Sequence, residues 1–149
     1  MPEAVIVATA RTPIGTAFRG SLVDVDALTL GTAAVREAVD RSGLDPTAFD
    51  DVVLGESLYG GGDIARYAAI EAGLVGAPGV AHNRHCASGL TAVQTAASSI
   101  RSGMDQVVLF SQSGPAMPTQ PRMTFSSPSG WRMNRQTTAT ATMLVTTGV

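Results

Sequence analysis

Short apolar runs alternate with amphipathic stretches along the first 110 residues. Residues 4–10 (Ala-Val-Ile-Val-Ala-Thr-Ala) form a continuous apolar run, which predicts a strand buried on both faces of a sheet. Residues 11–25 hold Pro13, Gly15 and Gly20 and read as a loop. Asp26 is placed to cap a helix running to about Ser42. Leu28, Val35, Ala38 and Val39 share one face of that helix at helical spacing, and Arg36, Glu37, Asp40 and Arg41 share the solvated face. Gly43 ends it. Val52-Val53-Leu54 begins a second strand, Asp63 caps a helix over 64–74, and 79–84 is a third strand. A helix over 86–102 follows, with Leu90, Val93, Ala97 and Ile100 on its inner face, then a fourth strand at 106–110. The order β–α–β–α–β–α–β predicts an α/β fold, a mostly parallel sheet with helices on both faces.

Beyond residue 110 the pattern fails. All twelve acidic residues lie at or before Asp105, and thirteen of the thirty-nine residues from Ser111 onward are serine or threonine. Pro115, Pro118, Pro121 and Pro128 break any long element there. Residues 1–110 are therefore expected to form the domain, with 111–149 an atypical segment, disordered or the start of a truncated loop region. Thr137 to Val149 reads equally as a strand or as a disordered end.

At 149 residues the chain is long enough for one real core. A formal charge of −2 argues against nucleic acid as the partner. No stretch approaches the ~20 apolar residues of a membrane span, and nothing basic precedes the first apolar run, so no signal peptide is expected. All ten basic residues are arginine. A single cysteine excludes an intrachain disulfide and suits a reducing, cytoplasmic setting. Tyr59-Gly60-Gly61-Gly62 is rich in glycine but lacks the Gly-Lys-Ser/Thr ending of a phosphate loop, and reads as a flexible loop.

The one cysteine, Cys86, falls where the third strand turns into the third helix. The free N–H groups of a helix start carry partial positive charge, which favours thiolate over thiol. That is the geometry of a nucleophile elbow with sulfur as the nucleophile. Ser88 and Gly89 are small and allow an acyl group to approach the backbone. A lone cysteine is otherwise a small buried hydrophobe. His82 and His85 stand nearby, but a fourth ligand and a zinc spacing are absent, so no metal site is assigned.

Asn83-Arg84-His85-Cys86-Ala87-Ser88-Gly89-Leu90 closely resembles the nucleophile motif of the thiolases. Three other stretches resemble the family at matching intervals. They are Ala4 to Gly15, Phe18-Arg19-Gly20-Ser21-Leu22, and Ile64-Ala65-Arg66 with Ala72-Gly73-Leu74. The resemblance covers about residues 3–110 and implies the N-terminal βαβαβ half of a thiolase fold. It implies an acyl-CoA acyltransferase in which Cys86 forms an acyl-enzyme. Coenzyme A thioesters are then substrates, no cofactor is permanently bound, and the chain self-associates through the strand before the nucleophile. In the family a second half supplies a histidine in a Gly-His-Pro segment, a second cysteine in a Cys-x-Gly segment and an oxyanion-holding asparagine. This sequence has no Gly-His-Pro and no second cysteine. Where thiolases have Gly-Gly-x-Glu-Ser-Met, it has Gln112-Ser113-Gly114-Pro115-Ala116-Met117. The resemblance therefore implies an incomplete enzyme as an isolated chain. His85 is a weak substitute for the missing base, because neighbours on a strand point to opposite faces. The alternatives are a sister condensing enzyme, or a non-catalytic module that keeps the half-fold for binding.

Overall fold

The computed structural model describes residues 2–16, 20–57, 62–113, 136–137 and 139–147. The larger sheet contains β1 (Glu3–Arg11), β3 (Asp51–Gly55), β4 (Gly79–His82), β5 (Val107–Ser113) and β7 (Ala139–Thr147), in the order β1-β7-β5-β3-β4. β3 pairs in parallel with both β4 and β5, and β7 is antiparallel to β5 and β1. Four of the five strands thus share one direction. A two-stranded ribbon joins β2 (Gly15–Thr16) to β6 (Gln136–Thr137).

Three helices cover the sheet. α1 (Ala27–Ser42) starts where Asp26 accepts a 2.7 Å hydrogen bond from Thr29 N and stops at Gly43, whose φ of 67° needs no Cβ. α2 (Ile64–Glu71) is capped by Asp63, which accepts from Arg66 N at 3.2 Å. α3 spans Ser88–Ser102 and ends at Gly103.

Strand alternation divides the core into two layers. Val52, Leu54, Val107 and Leu109 pack with α1 and α2 through Leu30, Val35, Ile64 and Ala68. Val53, Val108 and Phe110 pack on the other face with Ala92, Ala96 and Ile100 of α3. Among the described residues, two helices therefore cover one face of the sheet and one covers the other.

The structure departs from the periodicity in three places. The buried face of α3 is Gly89, Ala92, Ala96 and Ile100, while Leu90 is 63% exposed. The helix lies too close to the sheet for large side chains: a Cβ on Gly55 would stand 2.7 Å from Gly89 N. Second, β1 is not buried on both faces, since Ile6 and Val7 are 60% and 50% exposed. It is an edge strand with one neighbour, and its register slips between Ile6 and Ala8. Third, the sheet has five strands where four are expected, because 139–147 enters between β1 and β5. Of the expected atypical segment, residues 114–135, 138 and 148–149 lie outside the described residues. Among those residues no helix is long and apolar enough to cross a membrane.

Candidate active site

The C-terminal ends of β3 and β4 and the start of α3 meet at one corner. Gly55 is the last residue of β3, and its lack of a side chain lets the Ser88–Gly89 backbone sit directly over it. At the other end of β4, a Cβ on Gly79 would strike the backbone N of Arg66, so the first turn of α2 rests there. Close backbone contacts that only glycine permits thus seat α3 against the end of β3 and α2 against the start of β4.

Cys86 is a free, exposed thiol in this loop. It is not the first helical residue, as expected, but stands two residues before α3. The chain turns tightly instead, with Ala87 N donating to Arg84 O at 3.0 Å and Ser88 N to His85 O at 3.1 Å. Ser88 sets this start. Its hydroxyl is 1% exposed, accepts from Arg84 N at 2.8 Å and donates to His85 O at 2.6 Å. A serine chosen only for smallness would do neither. Asn83 Oδ1 accepts from His85 N at 3.1 Å and Asn83 Nδ2 donates to Ser57 O at 3.3 Å. His85 adopts a φ of 51°, a left-handed conformation uncommon outside glycine.

These bonds use the backbone groups of Arg84 and His85. The Cys86 N–H donates to no group among the described residues, and Ala87, the N-cap position, supplies no side-chain hydrogen bond. The exposed Cys86 therefore stands two residues before the positive end of a fifteen-residue helix, with its own N–H unused among the described residues. That arrangement can present the sulfur as a nucleophile and receive a developing oxyanion.

The two histidines are used differently. His82 ends β4, and its Nε2 lies 3.0 Å from Thr95 Oγ1 on α3. His85 is exposed in the corner itself. Glu56 is a carboxylate that no sequence motif marks. It is 5% exposed, and its Oε2 accepts from Ile64 N at 2.9 Å, anchoring the start of α2. Its sequence signal is slight, a single acid directly after Val-Val-Leu-Gly. With Asp63, Asn83, Val80, Ala81 and Gly62 it lines a cleft of about 360 Å³ beside the corner.

Comparison with known proteins decides the lineage. Residues 4–147 match the model of the thiolase N-terminal domain. The chain belongs to the thiolase family. It is 43% identical over 112 residues to an acetyl-CoA acetyltransferase of Pseudomonas aeruginosa, a match covering 73% of this chain and 28% of that protein. The crystal structure of the Bacillus anthracis acetyl-CoA acetyltransferase superposes with a TM-score of 0.75 at 31% identity, covering 89% of this chain and 34% of that one. A thiolase of Ascaris suum, solved in complex with coenzyme A, superposes with a TM-score of 0.73 at 27% identity, covering 87% and 35%. The thiolase chain described here spans about a third of the length of these relatives. The α/β architecture expected from the strand and helix pattern, and the thiolase-like form that the resemblance implies, are the ones observed.

Proposed function

We propose that this chain carries the nucleophilic half of a thiolase acyltransferase, with Cys86 as the residue that takes the acyl group. The observation that carries the reading is the exposed Cys86 thiol in a tight corner at the uncapped N-terminus of α3. Its thiolate attacks C3 of a 3-ketoacyl-CoA. The C2–C3 bond breaks, the acyl group stays on sulfur, and acetyl-CoA leaves as an enolate that takes up a proton. The thiolate of a second coenzyme A then attacks the thioester carbonyl and Cys86 is released. The reverse sequence is a Claisen condensation of two acyl-CoA molecules. The Cys86 N–H is one oxyanion donor in each tetrahedral state.

Residues 1–110 hold the site in this reading, and 139–147 add a strand to the sheet. Acyl-CoA and coenzyme A are the small-molecule partners. β4 has a single neighbour in the sheet, and its free edge pairs with a second copy to give a homo-oligomer. A catalytic thiol suits the reducing cytoplasm.

The isolated chain is expected to acylate without turning over. Proton transfer by a positioned base typically contributes about 10²–10⁴-fold, and the family's Gly-His-Pro and Cys-x-Gly segments are not in this sequence. Intact mass after incubation with acetyl-CoA should show one added acetyl group in the parent and none in Cys86→Ala. Parent and variant labelled alike would refute Cys86 as the acceptor. No adduct in either would favour the non-catalytic module. Sustained acetoacetyl-CoA thiolysis that is lost in Cys86→Ala would mean the chain itself supplies a base, with His85 the first residue to replace.

A further inference from the structure

The geometry points to Asn83 as a positioning residue for the Cys86 nucleophile, a role that rests on the acyltransferase reading above. Three observations converge on it. The only described non-glycine residues with positive φ are Asp63 and His85, and His85 immediately precedes Cys86. A left-handed residue persists where neighbouring groups hold it there. The His85 N–H is held by Asn83 Oδ1 at 3.1 Å, an Asx turn closing over Arg84. The same amide reaches across the corner, since Asn83 Nδ2 donates to Ser57 O at 3.3 Å, beyond the end of β3. One side chain thus fixes the backbone on both sides of the gap between β3 and β4.

The opposite side of the corner is held independently by Ser88, through Arg84 N and His85 O. Removing Asn83 therefore frees the His85 amide while Ser88 keeps its grip on Arg84 N and on the His85 carbonyl. His85 then relaxes towards negative φ, and the following residue swings with it. Cys86 loses its place at the N-terminus of α3. Asn83 touches neither sulfur nor substrate in this account; it acts through the conformation of His85.

The test compares Asn83→Ala and Asn83→Ser with the parent. Serine keeps an oxygen able to accept from the amide two residues on, more weakly than asparagine. In Asn83→Ala, hydrogen exchange of the His85 amide should quicken about fivefold, the net effect of one hydrogen bond. The Arg84 amide and the core amides of Leu54 and Leu109 should keep their rates. Iodoacetamide should modify Cys86 about fivefold more slowly, the size of a helix-terminus effect, and Asn83→Ser should recover most of both losses. An unchanged His85 amide would overturn the proposal. So would unchanged alkylation despite a freed amide, exchange that quickens equally throughout the core, or no recovery in Asn83→Ser. Alkylation needs no thioester, so the two readings separate. A parent that is never acetylated by acetyl-CoA, yet shows the full Asn83 pattern, refutes the acyltransferase reading alone. Normal acetylation without the pattern refutes the role of Asn83 alone.

Discussion

Gly55→Ala should damage both the fold and the nucleophile corner. The added Cβ would lie 2.7 Å from Gly89 N, 2.8 Å from the carbonyl carbon of Ser88 and 3.0 Å from the Cα of Gly89. Carbon contacts are comfortable at ~3.5–4.0 Å, so a gap of nearly an ångström must open. All three atoms are backbone, so no side-chain rotation relieves the clash. β3 is fixed by β4 on one side and β5 on the other, and α3 is fixed by Ala92, Ala96 and Ile100. Overpacking typically costs ~1–3 kcal/mol, and the upper end applies where neither side yields. For a domain of this size ~1 kcal/mol shifts Tm by ~2–4 °C, so about 3 kcal/mol lowers it by about 6–12 °C. Thermal melting followed by circular dichroism measures the loss. Iodoacetamide labelling of Cys86 below the melting range should slow as well, because the start of α3 is displaced. Gly76→Ala is the control, since a Cβ there meets nothing within 4 Å, and its Tm should move by less than the equivalent of ~0.5 kcal/mol. A Gly55→Ala protein that melts and labels like the Gly76→Ala control would show that α3 does not rest on β3 in solution.

Three further outcomes are expected. Gly31→Ala should stabilise α1 by up to ~1 kcal/mol in urea unfolding, because its Cβ would meet Ile64 Cδ1 at an ordinary 3.7 Å. Asp26→Ala should cost ~1 kcal/mol as a lost N-cap. The bond from Thr29 N, followed by that from its hydroxyl, holds the Asp26 carboxyl below the usual carboxylate range. That contribution is therefore present above about pH 4 and lost as pH falls through the depressed value, and urea midpoints of parent and variant should converge in acid. Asp51 is opposite in sign. Burial pushes its carboxyl up, aided by Asp105 and Asp63 and opposed by the bond from Val52 N and the charge on His82. Its ionised form burdens the fold at neutral pH, so Asp51→Asn should raise stability there, and the gain should shrink as pH falls towards the unfolded carboxylate value.

Much of this molecule was legible from residue order. Asp26 and Gly43 bracket α1 as read, because caps and stops are local chemistry. β3 and the strand-to-helix corner at Cys86 are likewise local signals. The inner face of α3 was not legible from hydrophobicity. Periodicity selects Leu90, whereas the distance to the sheet selects Gly89, Ala92 and Ala96. Nor was the start of α3, since no capping side chain stands at Ala87 and the turn depends on Ser88 bonding backwards. The exposure of Ile6 and Val7 follows from the edge position of β1, which only the whole sheet defines. A threonine-rich run such as 139–147 suits a strand by composition, but its place between β1 and β5 is a long-range pairing that no local pattern encodes.

That placement has a consequence for the order of assembly. β1 has one hydrogen-bonded neighbour, β7, and the two are separated along the chain by everything from residue 12 to residue 138. The β3–β4 and β3–β5 pairs close over far shorter stretches and can form first, with α2 and α3 as their crossovers. The opening strand must wait. Until residues 139–147 dock against β5, the apolar run Val5-Ile6-Val7 has no ladder to join. Docking of β7 then secures a strand more than a hundred residues away along the chain, and a large loop-closure entropy falls on that pairing. A chain emerging residue by residue carries β1 unpaired until residues 139–147 have been made. A holding chaperone would find its target there rather than at the nucleophile corner.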